Sequence, residues 1–523
     1  MNKLILHLNK NKGYTWINKD KVHFRGICHN KSIDELLSDL SQCVNETQVI
    51  EIVKTLCGSF SIVVEMEYTT FVIVDHLRSI PLFYEISDND LIVYDSLDTS
   101  NTVNKAINAS MVQIYKKAHF VFGENTIIDN VFQVPAGSYL IFENTTGKVR
   151  LEEYWRFEYD IQLSNNQNAI EQLRMVYDQV FSSVVNSLDG KTAVVPLSGG
   201  HDSRLVAYYL KKHGCKNIIA FSYGEKENLE SSIGNQVADF LKIPFYFVRY
   251  DRERVNKYRA IESSYMKYSG DLSSTISIQD IMAVDYLSEK RIIPKESVIV
   301  PGLGGVLTGH YISESFLKAD SVEINKLIDF IRNEYFGSFT NGEDNLFELV
   351  TNQIYNFINR ESDGTLDGKN TISGVMANEL FEKYTYYEEQ AKFIANAVRA
   401  YEYYGYSWIT PLFDQRVFNI WRRIDTQLRF GDKVFKEMEK QEFPEELLAI
   451  KFTGSKEMRH FYEGSKISSF ELFKTRFKRY LLPRKTHYLN KFIPLRVYYQ
   501  LLFFERRCSI ADAVASIYVS KLK

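Results

Sequence analysis

Ser198-Gly199-Gly200-His201-Asp202-Ser203 are six consecutive residues of the types that bind phosphate. They follow the apolar run Thr192 to Leu197 and lead into a segment with apolar residues at helical spacing. Glycines let backbone N–H groups approach an anion closely, and a helix N-terminus adds a favourable dipole. The loop has neither the lysine of G-x-x-x-x-G-K-[ST] nor the spacing of G-x-G-x-x-G, so it is not the usual kinase-type or dinucleotide loop. The same residues would also make a tight strand-to-helix turn capped by Ser198 or Asp202.

The elements that must position this loop can be read from periodicity. A strand is expected over Thr192–Leu197, a helix from Asp202 to about His213 with Gly214 as C-cap, and a strand over Asn217–Ser222. A helix through Leu229, Ile233, Val237 and Leu241 and a strand Phe245–Tyr250 follow. This alternation implies a parallel, doubly wound α/β sheet, in which ligands bind at the carboxyl ends of the strands. Before it, Ala169 to Leu188 places Leu173, Val176, Val180 and Val184 on one helix face, after the polar connection Gln162–Ile170. From the start to about Asp160, short β-rich runs such as "SFSIVVEM", "TTFVIVD" and "LIVYDS" predict a sheet-rich domain. From Asp320 onward the chain reads mainly helical.

At 523 residues the chain exceeds what one hydrophobic core usually serves, so two domains are expected, 1–160 and 169–523. Lys and Arg number 63 against 66 Asp and Glu, a net −3 that argues against a bulk nucleic-acid binder. Five widely spaced cysteines, Cys28, Cys43, Cys57, Cys215 and Cys508, form no C-x-x-C pair and suit a reducing cytoplasm. The apolar run Leu4 to Leu8 is too short for a signal peptide, and no stretch approaches the roughly 20 apolar residues of a membrane span.

The loop "SGGHDS" resembles the S-G-G-x-D-S loop of the ATP pyrophosphatases, and the segments around it resemble the asparagine synthetase family. In that family the loop grips the pyrophosphate end of ATP while its acid helps hold magnesium. The resemblance therefore gives Asp202 the metal role and implies ATP and Mg2+ as cofactors. "FSYGEKENLESS" (Phe221 to Ser232) matches the nucleotide-contacting segment, "SWITPLFDQRVFNIW" (Ser407 to Trp421) the P-F-L-D segment with Asp414 as its acid, and "LLAIKFTGSK" (Leu447 to Lys456) the segment whose lysine neutralises departing pyrophosphate. Lys451 takes that last place. The resemblance thus implies Leu197, Ser198, Gly199, Gly200, Asp202, Ser203, Ser222, Tyr223, Pro301 and Gly302 as nucleotide-binding residues, with Asp202 and Lys451 catalytic.

"VIVPGLGGVLTGHY" (Val298 to Tyr311) resembles the family's second glycine-rich loop, S-G-E-G-x-D-E, but Leu303 stands where its Glu would be and no acid occurs from Val298 to Tyr311. The second metal carboxylate is missing or supplied elsewhere. Relatives in bacterial surface-polysaccharide pathways, similar in "VPG", in Arg399 to Gly405 and in W-x-x-P-L-F-D, also lack that Glu but keep an Asp.

"GSFSIVV", "VDHLRSIPLFY" (Val74 to Tyr84), "VPAGSYL" (Val134 to Leu140) and Tyr154-Trp155 resemble a class II glutamine amidotransferase domain, which implies an N-terminal Ntn-type α/β sandwich over residues 1–160. That family uses a cysteine directly after the initiator Met, and position 2 here is Asn2, so a degenerate glutaminase is expected. The function implied is an ATP-dependent ligase that adenylates a carboxylate and amidates it with ammonia or another amine, free or from a partner. The best-matching relatives imply a sugar uronic acid as substrate. Alternatives are an intramolecular cyclase resembling β-lactam synthetases or lasso-peptide cyclases, and a non-catalytic nucleotide-binding scaffold. From Ser465 to Arg507 eleven Lys or Arg face two Glu, which reads either as solvated basic helices or as a face for an anionic substrate or an anionic membrane surface.

Overall fold

The computed structural model describes residues 3–97, 105–337, 339, 342–362, 366, 370–452 and 510–521. The N-terminal part is two β-sheets face to face. A six-stranded antiparallel sheet runs in the order Val149–Glu153, Ser138–Glu143, Thr69–Val74, Gly58–Glu65, Val22–Cys28, Ile17–Lys19. A four-stranded sheet takes the order Leu4–His7, Asp90–Tyr94, Phe83–Ser87, Phe132–Gln133, its first pair parallel.

The period of two along each strand separates the layers. Phe71 and Ile73 pack in one core with Leu36, Leu37, Leu40, Val49 and Val53 of helices Ile33–Ser41 and Glu46–Thr55. Their neighbours Val72 and Val74 point the other way, into a core with Leu82, Tyr84, Leu91 and Val93 of the second sheet. The expected α/β sandwich is therefore present, with helices on the outer face of the larger sheet and an apolar sheet-on-sheet layer beneath it.

The second sheet system is five-stranded and parallel throughout, in the order Phe245–Arg249, Ile218–Gly224, Ala193–Pro196, Val298–Ile299, Ser407–Trp408. Chain order reverses between Ala193–Pro196 and Val298–Ile299. Such a switch point opens a crevice at the carboxyl ends of the strands. Both glycine-rich loops leave from these two neighbouring strands.

The helices between the strands follow the sequence expectation, Asn166–Leu188, His201–Lys212 and Leu229–Leu241. The first begins three residues before Ala169 because the Asn165 side chain caps it, accepting from the Asn168 N–H at 3.0 Å. A capping pair, Asn228 with Ser231, starts the third. Gly234 lets that helix close on the first loop, since a Cβ there would lie 2.7 Å from the Leu197 carbonyl oxygen. C-terminal to the sheet the chain is helical: Ile324–Phe336, Asp344–Glu361, Gly374–Tyr384 running into a π-helical stretch Thr385–Ile394, then Arg399–Tyr403 and Lys433–Glu442.

The turn Asp75–Ser79, from the segment "VDHLRSIPLFY", joins the two parts. Asp75 accepts from the N–H groups of Phe60, Leu77 and Ser79 and from the Ser79 hydroxyl. This network holds Arg78 in the left-handed region, φ 57°. The turn then meets the C-terminal part three times: His76 Nε2 donates to the Phe413 carbonyl at 2.8 Å, Tyr386 Oη to the His76 carbonyl at 2.7 Å, and Arg399 to the Ser79 carbonyl.

Candidate functional site

The first loop turns sharply because its two serines bond each other. Ser198 N–H donates to Ser203 Oγ at 3.1 Å, the two hydroxyls lie 3.0 Å apart, and Gly200 N–H donates to Ser198 Oγ at 3.2 Å. Gly200 is the N-cap of helix His201–Lys212 and no side chain caps it. Neither Ser198 nor Asp202 acts as the helix cap, and the N-terminus of the helix keeps its dipole available to an anion.

The second loop lies directly on the first turn of that helix. A Cβ on Gly302 would sit 2.5 Å from Ser203 N, and a Cβ on Gly305 would sit 2.9 and 3.1 Å from the two Asp202 carboxylate oxygens. Gly302 therefore requires glycine for space against backbone, whereas a side chain at Gly305 would displace the Asp202 carboxylate. Ser198, Gly200, Asp202, Ser203, Pro301 and Gly302 line one cavity of about 210 Å³ at the switch point. Leu303 lines it too, so an apolar side chain occupies the place where the family resemblance puts a glutamate.

Asp202 is half-buried. Burial, opposed by His201 and reinforced by the negative charge of Glu439 and Asp432, pushes its carboxyl up to about 7. Asp432 arrives from a tight turn, Gly431 and Asp432 both with positive φ, and Thr308 Oγ1 of the second loop donates to it at 2.8 Å. Burial works against its charge, yet His310, Thr308 and Lys436 hold it down at about 2. Glu439 pairs through Oε2 with His201 Nδ1 at 2.5 Å, while its buried Oε1 has no hydrogen-bond partner. Carboxylates gathered without thiols suit a hard cation such as magnesium, which takes one or two protein carboxylates and fills its shell from phosphates and water. Among the described residues no three His, Cys, Asp or Glu side chains converge as a metal cage.

Lys451 is exposed and its segment is pinned beside the first loop. Arg204 donates to the carbonyls of Leu447, Ile450 and Lys451, the last at 2.7 Å. The next ring, Phe452, is stacked on His201 at 4.0 Å and lies 3.6 Å from the Arg204 guanidinium. Ser222 and Tyr223 sit half-buried on the neighbouring strand, and Tyr223 stacks on Tyr250 at 5.0 Å. Asp414 is elsewhere: it caps helix Gln415–Trp421, accepting from Arg416 N and Nε, both at 2.9 Å, and the structure places it outside the cavity lining. The basic stretch 465–507, Cys508 and Asn2 lie outside the described residues.

Sequence reasoning missed Asp432, Glu439, Arg204, Phe452, Asp280 and Tyr401. The "FGD" turn signalled a loop at Asp432, but nothing in the sequence said which loop it would meet. Asp280 and Tyr401 line the same cavity from two separate helices.

Comparison with known proteins locates the same two parts. Residues 40–155 match a glutamine amidotransferase domain family, and residues 192–287 match the family of queuosine biosynthesis protein QueC. The microcin J25-processing protein McjC of Escherichia coli is 24% identical over 198 residues, 37% of this chain and 36% of McjC. The tRNA-specific 2-thiouridylase MnmA of Chlamydia trachomatis is 38% identical over 73 residues, 12% of this chain and 20% of MnmA. The chain thus matches well under half the length of these curated relatives. Among solved structures, the NH3-dependent NAD synthetase of Campylobacter jejuni aligns at 15% identity with 38% of this chain and 96% of its own, TM-score 0.20. The glutamine phosphoribosylpyrophosphate amidotransferase of B. subtilis aligns at 10% identity with 64% and 74%, TM-score 0.18. The chain thus joins a part that matches a glutamine amidotransferase domain family to a parallel sheet that matches the QueC family, the two-part organisation of the asparagine synthetase family it resembles.

Proposed function

We propose that the chain is an ATP-dependent carbon–nitrogen ligase, organised as domains 1–160 and 169–523, that adenylates a substrate carboxylate and passes the acyl group to ammonia or another amine. The observation that carries this reading is the meeting of the two glycine loops at the switch point, with Asp202 against Gly305 and the N-terminus of helix His201–Lys212 opening into the same cavity. Ser198, Gly199, Gly200 and Ser203 bind the departing pyrophosphate through backbone N–H and hydroxyl groups, with Leu197, Ser222, Tyr223, Pro301 and Gly302 around the nucleotide. Magnesium, when bound, supplies charge neutralisation for the phosphates, and Asp202 is the residue that would hold it. Lys451 balances the charge that grows as the α-phosphate is attacked. The carboxylate oxygen attacks the α-phosphorus, pyrophosphate leaves, and the acyl adenylate then meets the amine with no protein nucleophile required.

For the substrate, a sugar uronic acid of a surface-polysaccharide pathway suits the basic stretch 465–507, which would hold an anionic carrier. A second reading, amide closure within a peptide, is supported by the match to a protein that processes a microcin. The nitrogen donor in this reading is free ammonia or an amine.

The test is ATP–pyrophosphate exchange with four carboxylates offered in turn: glucuronate, UDP-glucuronate, aspartate, and a short peptide with a free side-chain carboxylate. Exchange with one of them that Asp202→Ala lowers at least about 10²-fold is the expected result. Exchange that Asp202→Ala leaves untouched refutes the metal role, and no exchange with any refutes the ligase reading. Ammonium, but not glutamine, should then yield the amide.

A further inference from the structure

The loop Val298–Tyr311 has no acid, yet the cavity it lines does. Asp280 lines that cavity together with Leu303, Gly302 and Asp202. It starts helix Ile281–Glu289 as its N-cap residue, but its side chain makes no cap bond and is committed elsewhere. Tyr401 Oη donates to Asp280 Oδ2 at 2.5 Å, and Tyr223 is its second hydrogen-bond partner. The backbone around it is fixed as well: Tyr250 Oη donates to the neighbouring Gln279 carbonyl at 2.6 Å and accepts from Ala283 N–H at 3.2 Å. A carboxylate has room for about four hydrogen bonds, so two tyrosines orient this one and leave lone pairs toward the cavity.

We propose that Asp280 is the general base of the amide-forming step, replacing in space the acid that the second glycine loop lacks in sequence. The inference rests on the ligase reading. As the amine nitrogen bonds to the acyl carbon, the bond from that carbon to the adenylate oxygen breaks, AMP leaves with the bonding pair, and the proton shed by nitrogen passes to the Asp280 carboxylate. Burial raises the carboxyl above its ordinary value, which makes it a better proton acceptor than an exposed aspartate. Tyr401 and Tyr223 are positioning residues: they fix the carboxylate and do not touch the reacting atoms. Asp202 lines the same cavity but belongs to the phosphate loop, so the two acids divide between the two half-reactions.

The experiment separates those half-reactions on the full-length protein, using whichever of the four carboxylates supports pyrophosphate exchange. Asp280→Asn should keep exchange within about threefold of wild type and lose amide formation from ammonium by about 10²–10⁴-fold, the usual worth of a general base. Hydroxylamine is largely unprotonated at neutral pH and needs little help, so hydroxamate formation should fall by less than about tenfold in the same variant. Asp280→Glu should recover part of the ammonium reaction, and Tyr401→Phe, which keeps the acid and loosens its seat, should keep most of it. Equal loss with ammonium and hydroxylamine, or loss of exchange in Asp280→Asn, overturns the assignment. Wild-type exchange with none of the four carboxylates would instead remove the ligase reading on which it rests.

Discussion

Glu402 couples the two parts of the protein through a buried ion pair, and Glu402→Gln measures that coupling. The residue is fully buried on helix Arg399–Tyr403 and faces Arg25 of the N-terminal sheet at 3.3 Å and Arg399 at 2.5 Å, both buried. It also accepts from Trp408 Nε1 at 2.9 Å and from Tyr268 Oη at 3.2 Å. Burial alone would raise its carboxyl, but the guanidiniums of Arg399 and Arg25, with Lys10 behind them, hold it down at about 2. A fall from an ordinary value of about 4.5 to about 2 corresponds to about 3 kcal/mol of native-state preference for the charged form. Glutamine keeps the shape and removes the charge, leaving two buried cations uncompensated, a loss of about 3–5 kcal/mol. Because the folded value is the depressed one, this stability is complete above about pH 5 and is lost as pH falls toward 2. The gap between wild type and variant in urea unfolding, followed by tryptophan fluorescence, should therefore be about 3 kcal/mol or more at neutral pH and under half that at about pH 3. A gap below about 1 kcal/mol at neutral pH, or one that does not shrink on acidification, would refute the reasoning.

Two further expectations concern the site. Lys451→Ala should lower kcat by about 10²–10³-fold while ATP affinity changes only a few-fold, because the charge matters as pyrophosphate leaves; equal losses in both, measured by exchange and calorimetry, would indicate uniform phosphate binding. Gly302→Ala puts a methyl 2.5 Å from Ser203 N, so one loop must move; ATP affinity by calorimetry should fall at least tenfold with unchanged circular dichroism, and wild-type affinity would show that the loops do not meet as described.

The parallel sheet and the first loop were legible because each follows from local rules: strand and helix periods, the Gly-Gly turn, and the switch-point geometry they jointly imply. The two-sheet sandwich was legible from alternation, as Phe71 and Ile73 opposite Val72 and Val74 illustrate. What could not be read was anything requiring partners far apart in sequence. Asp432 reaches Thr308 across 124 positions, Arg204 reaches Lys451 across 247, and Asp280 reaches Tyr401 across 121. Each is a polar residue that looks solvated in one dimension. Asp414 shows the converse: its motif position suggested chemistry, whereas its carboxylate is spent on the Arg416 side chain and a helix start.

The placement of helix Arg399–Tyr403 gives the N-terminal sandwich a role that needs no glutaminase chemistry. The thiols of Cys28 and Cys43 are raised by burial and that of Cys57 is pushed up to about 11, so none of these is poised as a thiolate nucleophile. The sandwich instead holds this short helix from one side: Arg25 binds Glu402, and the Ser79 carbonyl of the Asp75–Ser79 turn accepts from Arg399. Tyr401 of the same helix places its hydroxyl on Asp280, and both line the cavity between the two glycine loops. The helix continues without a break from the helical run that starts at Gly374, through Thr385–Ile394 and Ala395–Val398, so its course is shared with that run. Loosening the Arg25–Glu402 and Arg399–Glu402 pairs should shift the end of this run and with it Tyr401, whose hydroxyl lies 2.5 Å from the Asp280 carboxylate. With no reactive thiol among its described cysteines, the N-terminal sandwich is tied to the C-terminal part through the Asp75–Ser79 turn and the Arg25–Glu402 pair.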